Sequence, residues 1–484
     1  MRIRIRGLLI IVSLAAVILL PFAGWAAVIE LPETGQTKCY NSGGNLISCS
    51  STGQDGNVLA GVAWPGTRFT VSGDCITDNL TGLIWTKSGN QPGRLMSWQE
   101  SIDYITGIIN TGLCGYKDWR LPNINEIESI VNAGVTNPAE WLNKQGFIDV
   151  QSSAYCSSTT YSLDTIYAWC IDMWNGTVKA GLKTEIKYIW PVRVGQSGIP
   201  DANYPANIWK TGQTTSYYSS DDGKLQKGVT WPDPRFTDNG NGTVTDNLTG
   251  MAWLKDTNCF SSMTWQNALT TVGNFNSNPR NFSCSGYNAS FNDWHLPNRK
   301  ELLSLIDRSS SNPAFPYYPV LPAYRPFPNL SSFIYWSSTS YMYNAENASV
   351  VSLLDGEISF NSKVTYNYVW PVRYGAGSGN NCAATVSVDY YLNVPVINFN
   401  NVFLRATFVY TPTSDGIVWF KLTGSGDVSD LSPYNNCQAS TLSVAYVLHI
   451  PEIVLNNISY TADLQYVPGS GNDILFKVIS AAIK

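Results

Sequence analysis

The chain has 484 residues, with 30 basic against 35 acidic side chains, two histidines, 13% charged and 13% aromatic residues. So few charges, with no basic run, argue against a surface built to neutralise a polyanion, and two histidines leave little material for imidazole catalysis. The length predicts about three domains, and the wealth of Trp, Tyr, Asn, Ser and Gly predicts a turn-rich extracellular fold.

Arg2, Arg4 and Arg6 precede an almost wholly apolar run over residues 7–23, and Gly24 and Ala26 place small residues before a cut. This is the pattern of a secretory leader, so residues 1–26 are set aside from the fold. Left uncleaved, the same run is about one membrane span long, and no later stretch is long and apolar enough to cross a bilayer. The mature chain then carries 27 basic and 35 acidic residues and is expected in the periplasm, on the outer surface or in the medium.

Six blocks recur in one order. Thr34-Gly35-Gln36-Thr37 returns as Thr211-Gly212-Gln213-Thr214, and Gly61-Val62-Ala63-Trp64-Pro65 as Gly228-Val229-Thr230-Trp231-Pro232. Asp78-Asn79-Leu80-Thr81-Gly82 with Trp85 returns as Asp246-Asn247-Leu248-Thr249-Gly250 with Trp253. Asp118-Trp119-Arg120-Leu121-Pro122-Asn123 returns as Asp293-Trp294-His295-Leu296-Pro297-Asn298, Ser157-Ser158-Thr159 as Ser337-Ser338-Thr339, and Trp190-Pro191-Val192-Arg193 as Trp370-Pro371-Val372-Arg373. The chain therefore divides into a first repeat over 27–195, a linker over 196–207, a second repeat over 208–374, a linker over 375–381 and a C-terminal domain over 382–484.

Within the first repeat, Ser97 with Glu100 and Asn123 with Glu126 form capping boxes ahead of Ile102, Ile105 and Ile109, and of Ile127, Ile130 and Val131, which predicts two helices. Thr264 and the pair Asn298 and Glu301 open the equivalent helices of the second repeat. The other blocks predict short strands, so each repeat is expected to be an α+β unit. In 382–484, Val386, Val388, Tyr390 and Leu392 alternate with other residues, as do Leu442, Val444, Tyr446 and Leu448. Asn380-Asn381-Cys382 also matches Asn435-Asn436-Cys437, which predicts a small all-β sandwich with an internal two-fold repeat.

The cysteines are even in number, widely spaced and free of CxxC pairs: Cys39, Cys49, Cys75, Cys114, Cys156, Cys170, Cys259, Cys284, Cys382 and Cys437. After a leader this predicts local disulfides, Cys156 with Cys170 among them, and Cys382 with Cys437 across the halves of the last domain.

The order Asp-Asn-Leu-Thr-Gly-x-x-Trp, Asp-Trp-Arg-Leu-Pro-Asn-x-x-Glu, Ser-Ser-Thr and Pro-Val-Arg resembles a bacterial family named after the C-terminal domain of the Legionella collagen-like protein. The resemblance covers both repeats. More distantly, Arg-Leu-Pro-x-x-x-Glu with Trp-Ser-Ser-Thr resembles C-type-lectin-like and formylglycine-generating-enzyme-like domains. That likeness implies two tandem C-type-lectin-like mixed α+β domains with a loop-rich binding face, ahead of the sandwich. The first family implies an adhesin-like role and binding of sulfated host polysaccharides. This chain departs from it in being acidic, in lacking a collagen repeat and in carrying two copies.

No residue is read as catalytic. His295 stands where the first repeat has Arg120, and an arginine that stays protonated cannot replace a general base. Arg120 and Glu126, like His295 and Glu301 and the neighbouring Trp119 and Trp294, are read as structural. The serines lack a nucleophile elbow. Asp238, Asn241 and Asp246 could ligate calcium, although the Asn-Gly turns there form a hairpin unaided; no other cofactor is expected. Tyr167, Trp169, Trp174, Tyr341 and Tyr343 lie in segments that differ between the copies and are the expected ligand contacts. The function expected is that of an exported, non-enzymatic binding or adhesin-like protein whose partner is an extracellular glycan or a cell-surface protein, not nucleic acid. The alternatives are a structural scaffold of the cell envelope and, behind it, an extracellular polymer-acting enzyme.

Overall fold

A computed structural model describes residues 29–193, 197–198, 204–316 and 326–373, apart from positions 290 and 332, and most of 384–483. The leader at 1–26, the linker at 375–381, Cys382 and Cys437 lie outside the described residues. Residues 26–373 form one compact unit that holds both repeats, and the C-terminal segment forms another.

In each repeat an N-terminal arm, residues 29–68 or 208–235, leads into an antiparallel sheet. In the first, β1 (Phe69–Ser72), β2 (Cys75–Asp78) and β3 (Ile84–Thr86) are neighbours. A helix, α1 (Trp98–Thr111), follows Ser97, whose hydroxyl accepts from Glu100 N while Glu100 caps Ser97 N. The second helix, α2 (Ile124–Ser129), starts at Asn123 with the same reciprocal box through Glu126. Then come β4 (Ala154–Thr160), β5 (Tyr167–Asp172) and β6 (Val178–Leu182), and β7 (Val192–Arg193) returns to pair with β3. The second repeat repeats the path with β8 (Phe236–Asp238), β9 (Thr243–Asp246), β10 (Ala252–Leu254), α3 (Trp265–Ser277), α4 (Arg299–Ser304), β11 (Ile334–Ser340), β12 (Asn347–Ser352), β13 (Ile358–Ser362) and β14 (Val372–Arg373).

The repeats are joined through one six-stranded sheet in the order β11-β12-β13-β6-β5-β4, with Ile358 opposite Val178 at its centre. A common core runs through both, from Trp85, Trp190 and Ile127 in the first to Trp253, Trp370 and Leu302 in the second. β4 and β11 are buried on both faces, with Trp98 Nε1 donating to Ser157 O and Ile124 N donating to Thr159 Oγ1. The Ser-Ser-Thr blocks sit at register shifts in these strands. A bulge there turns the threonine hydroxyl out of the ladder.

The C-terminal unit is a single sheet. Its order is β15 (Ala384–Val386), β16 (Tyr391–Phe399), β17 (Val402–Thr411), β18 (Trp419–Asp427), β22 (Ile474–Ile483), β21 (Ile458–Pro468), β20 (Val447–Leu455) and β19 (Ser440–Leu442). Parallel pairings of β15 with β20 and of β19 with β16 bring its two ends together. Leu392, Phe408, Phe420, Leu448, Leu464 and Phe476 fill the inside.

The expected α+β, C-type-lectin-like fold is therefore corrected, and so is the sandwich. Among the described residues strand outweighs helix, in several sheets. The capping boxes are real, but α2 and α4 have six residues each, because Ile130 and Leu305 already stand at the C-caps. The apolar spacing beyond them is met by turns packed into the core. In the C-terminal unit the alternation belongs to a sheet that curls on itself instead of to two stacked sheets.

Candidate ligand-binding face

The blocks shared by the repeats form structure. Arg68 and Arg235 grip Asp78 and Asp246, the latter at 2.6 and 3.0 Å, and each guanidinium also donates to a backbone carbonyl, Ser129 O or Ser304 O. Arg120 holds Glu126 through two bonds of 2.5 and 2.6 Å, and His295 Nε2 meets Glu301 Oε1 at 2.9 Å. All four groups are buried. Arginine and histidine thus do the same job: each holds the glutamate that caps its helix. The facing Glu301 pulls the His295 pKa above its ordinary value against the opposing effect of burial, which favours the neutral ring.

The Thr-Gly-Gln-Thr blocks reach across to the other repeat, a feature that sequence reasoning missed. Asp55 Oδ2 accepts from Thr34 of its own arm at 2.7 Å and from Thr339 of the second repeat at 2.6 Å. Asp222 Oδ2 accepts from Thr211 at 2.6 Å and from Thr159 of the first repeat at 2.7 Å. Gln36 exchanges two bonds with the backbone of Ser340, and Gln213 exchanges two with Thr160. Burial raises the Asp55 pKa to about 6 and that of Asp222 to about 7, against the lowering effect of the threonine bonds. Lys363, over the Trp265 ring at 4.0 Å and bonded to Ser340 Oγ, is pushed down to about 7 by desolvation.

A charged contact breaks this pseudo-symmetry. Lys300 Nζ lies 3.0 Å and Arg299 Nη2 3.4 Å from the Glu128 carboxylate, with all three side chains at most 4% exposed. Glu128 belongs to the first repeat and its partners to the second.

The expected contact residues separate. Trp169 is 1% exposed, under Arg308 at 4.1 Å and against Tyr161, so it is corrected to the core. Tyr167 is half-buried beside Tyr161. Trp174, Tyr341 and Tyr343 do come together. Trp174 lies 4.2 Å from Tyr343, and Tyr341 lies 6.1 Å from Tyr343 and stacks on Phe360 at 4.0 Å, with 7° between the planes. Trp174 is 40%, Tyr343 49% and Phe360 38% exposed, and Trp174 is the only exposed tryptophan among the described residues. Tyr341 is buried, and its hydroxyl is hydrogen-bonded to Asn175, although burial still raises its pKa to about 12. The face joins both repeats, with Trp174 and Asn175 from the first and Tyr341, Tyr343 and Phe360 from the second. Phe360 and Asn175 were missed. Aligning the copies finds Phe360, because Ala180 holds its place in the first repeat.

The turn under Trp174 is built from its own sequence. Asp172 Oδ1 accepts from Trp174 N at 2.9 Å, and Gly176 takes the left-handed φ of 77° that a side chain would strain. Arg299 Nη2 then donates to Gly176 O at 2.7 Å from the second repeat.

Asp238 is paired with Lys255 at 2.6 Å, Asn241 Oδ1 accepts from Thr243, and Asp246 belongs to Arg235, so the three residues that could ligate calcium are engaged in hairpin and core contacts. Among the described residues no group of three or more His, Cys, Asp or Glu is placed to hold a metal ion. Disulfides join Cys39 to Cys49, Cys75 to Cys114, Cys156 to Cys170 and Cys259 to Cys284. No described helix is long and apolar enough to cross a membrane.

No curated protein matches the chain. The family model described as the Lcl C-terminal domain matches residues 74–193 and 242–373, which include the Asp-Trp, Ser-Ser-Thr and Pro-Val-Arg blocks of both repeats and take in just over half of the sequence, and the chain belongs to that family.

Proposed function

We propose that this is an exported, non-catalytic binding protein that recognises an extracellular glycan through the face formed by Trp174, Tyr341, Tyr343 and Phe360. The observation that carries the reading is the exposure of Trp174, Tyr343 and Phe360, with Tyr341 buried beneath them, in a molecule that buries Trp85, Trp119, Trp190, Trp253, Trp294 and Trp370. Flat aromatic rings offer large apolar faces at small entropic cost, which suits the C–H face of a sugar ring. Four disulfides and a leader-like N-terminus support export. The exchange of Arg120 for His295 at one structural position supports a non-catalytic role.

A glycan array probed with the full mature chain tests this reading. Saturable binding is expected, and Trp174→Ala should weaken it at least 10-fold while leaving stability within about 0.5 kcal/mol, because the ring is surface-exposed. Binding that survives this change refutes the placement. An absence of glycan binding together with ordered self-assembly favours the envelope-scaffold reading.

A further inference from the structure

The duplication supplies an internal control for the aromatic face. The turn of residues 172–176 recurs at 352–356, with Gly356 at a φ of 94° and its carbonyl held by Arg308 Nη1 at 2.8 Å, as Arg299 holds Gly176. On this second face Leu354 stands for Trp174, Leu163 for Tyr343 and Ala180 for Phe360. The scaffold therefore forms without the exposed rings, and folding does not account for them.

The two faces also differ in charge. Around Tyr161 the second face gathers Asp355, which accepts from the tyrosine hydroxyl at 3.2 Å, with Glu357 and Asp164 nearby. On the aromatic face Asn175 replaces Asp355, Thr177 replaces Glu357 and Asn344 replaces Asp164. The carboxylate facing Tyr341, Asp172, has one oxygen committed to Trp174 N. The cation facing Tyr341, Arg299, is 3% exposed and is held by Gly176 O and Glu128. It is turned inward and offers solvent no charge. A sulfate or carboxylate on a ligand would find no partner in the buried Arg299, on a chain of net charge −5.

We infer that the Trp174–Tyr343–Phe360 face takes an uncharged polysaccharide, one sugar ring lying on Trp174, and rejects sulfated or uronic-acid-rich chains. This rests on the glycan reading above.

Affinity electrophoresis of the full mature chain tests it, with gels containing a neutral mixed-linkage β-glucan, a galactomannan, an unsubstituted xylan or heparin. The expected result is retardation by at least one neutral polymer. It should change less than two-fold between about 0.05 and 0.3 M salt, because no counterions are released. Trp174→Ala and Tyr343→Ala should each weaken it at least 10-fold, and Leu354→Ala on the other face should leave it unchanged. Retardation by heparin alone that falls with salt and still needs Trp174 overturns the inference and leaves the aromatic face standing. Neutral-polymer binding indifferent to both aromatic changes overturns the site. No retardation in any gel overturns the glycan reading together with the inference.

Discussion

Glu128 is the sharpest test of how the repeats are joined. It sits in the first repeat with Lys300 Nζ at 3.0 Å and Arg299 Nη2 at 3.4 Å from the second, all almost out of water. At 3.0 Å and an effective dielectric of about 20, the attraction to Lys300 alone is about 5.5 kcal/mol. Glu128→Gln keeps the shape, removes the charge and takes from two buried cations the anion that lies against both, leaving Asp55 as the remaining acidic influence on Arg299. Desolvation already lowers the pKa of both Lys300 and Arg299, and Glu128 is the largest influence opposing it. Breaking such a group from one side costs about 3–5 kcal/mol, whereas exchanging all of it for apolar side chains of similar size is near neutral. The expected loss for Glu128→Gln is therefore about 3–5 kcal/mol, or roughly 6–10 °C in Tm at about 2 °C per kcal/mol for a unit of this size. The triple change Glu128→Leu, Arg299→Met, Lys300→Met should recover most of it, less about 1 kcal/mol for the bond to Gly176 O. Urea unfolding followed by tryptophan fluorescence reads both. A single variant within 1 kcal/mol of the parent, or a triple variant worse than the single, refutes the claim that these charges are desolvated across the repeat boundary.

Two further outcomes follow from the buried acids and the histidine. The Asp222 pKa is raised from 3.8 to about 7 in the folded chain, so its contribution to stability is fully present below pH 3.8 and is lost as pH rises through 7. Asp222→Asn imitates the protonated acid, so the variant should gain on the parent by up to about 4 kcal/mol between pH 4 and 7.5, read from urea midpoints; a difference that does not move with pH contradicts the arm geometry. His295→Arg should fold as the first repeat does with Arg120 and stay within about 1 kcal/mol, while His295→Ala strips Glu301 of a buried partner and should cost about 1–3 kcal/mol. Equal losses in the two variants count against a purely structural histidine.

The duplication was legible because six blocks keep their order, and the starts of α1, α2 and α4 were legible because a capping box is a local device that needs only four residues. The exchange of arms was not. Thr34-Gly35-Gln36 and Thr211-Gly212-Gln213 are identical, and nothing local says which copy's Ser-Ser-Thr strand each will meet. Trp169 was misplaced for a related reason. Strand β5 is covered on both faces, so the alternation that separates an inward from an outward residue is missing, and Trp169 reads like its exposed neighbour Trp174. The charge pair across the repeats was hidden because Glu128 aligns with Leu303, and Arg299 with Ile124, so each looked like ordinary divergence on a short helix.

The account turns on one aromatic face per molecule, assembled from both repeats and absent from the equivalent position. Isothermal titration of the full mature chain with a short neutral oligosaccharide cut from the retarding polymer counts such faces. One site per chain, abolished by Trp174→Ala and untouched by Leu354→Ala, is the predicted result. Two equivalent sites per chain, each surviving the loss of Trp174, would contradict it.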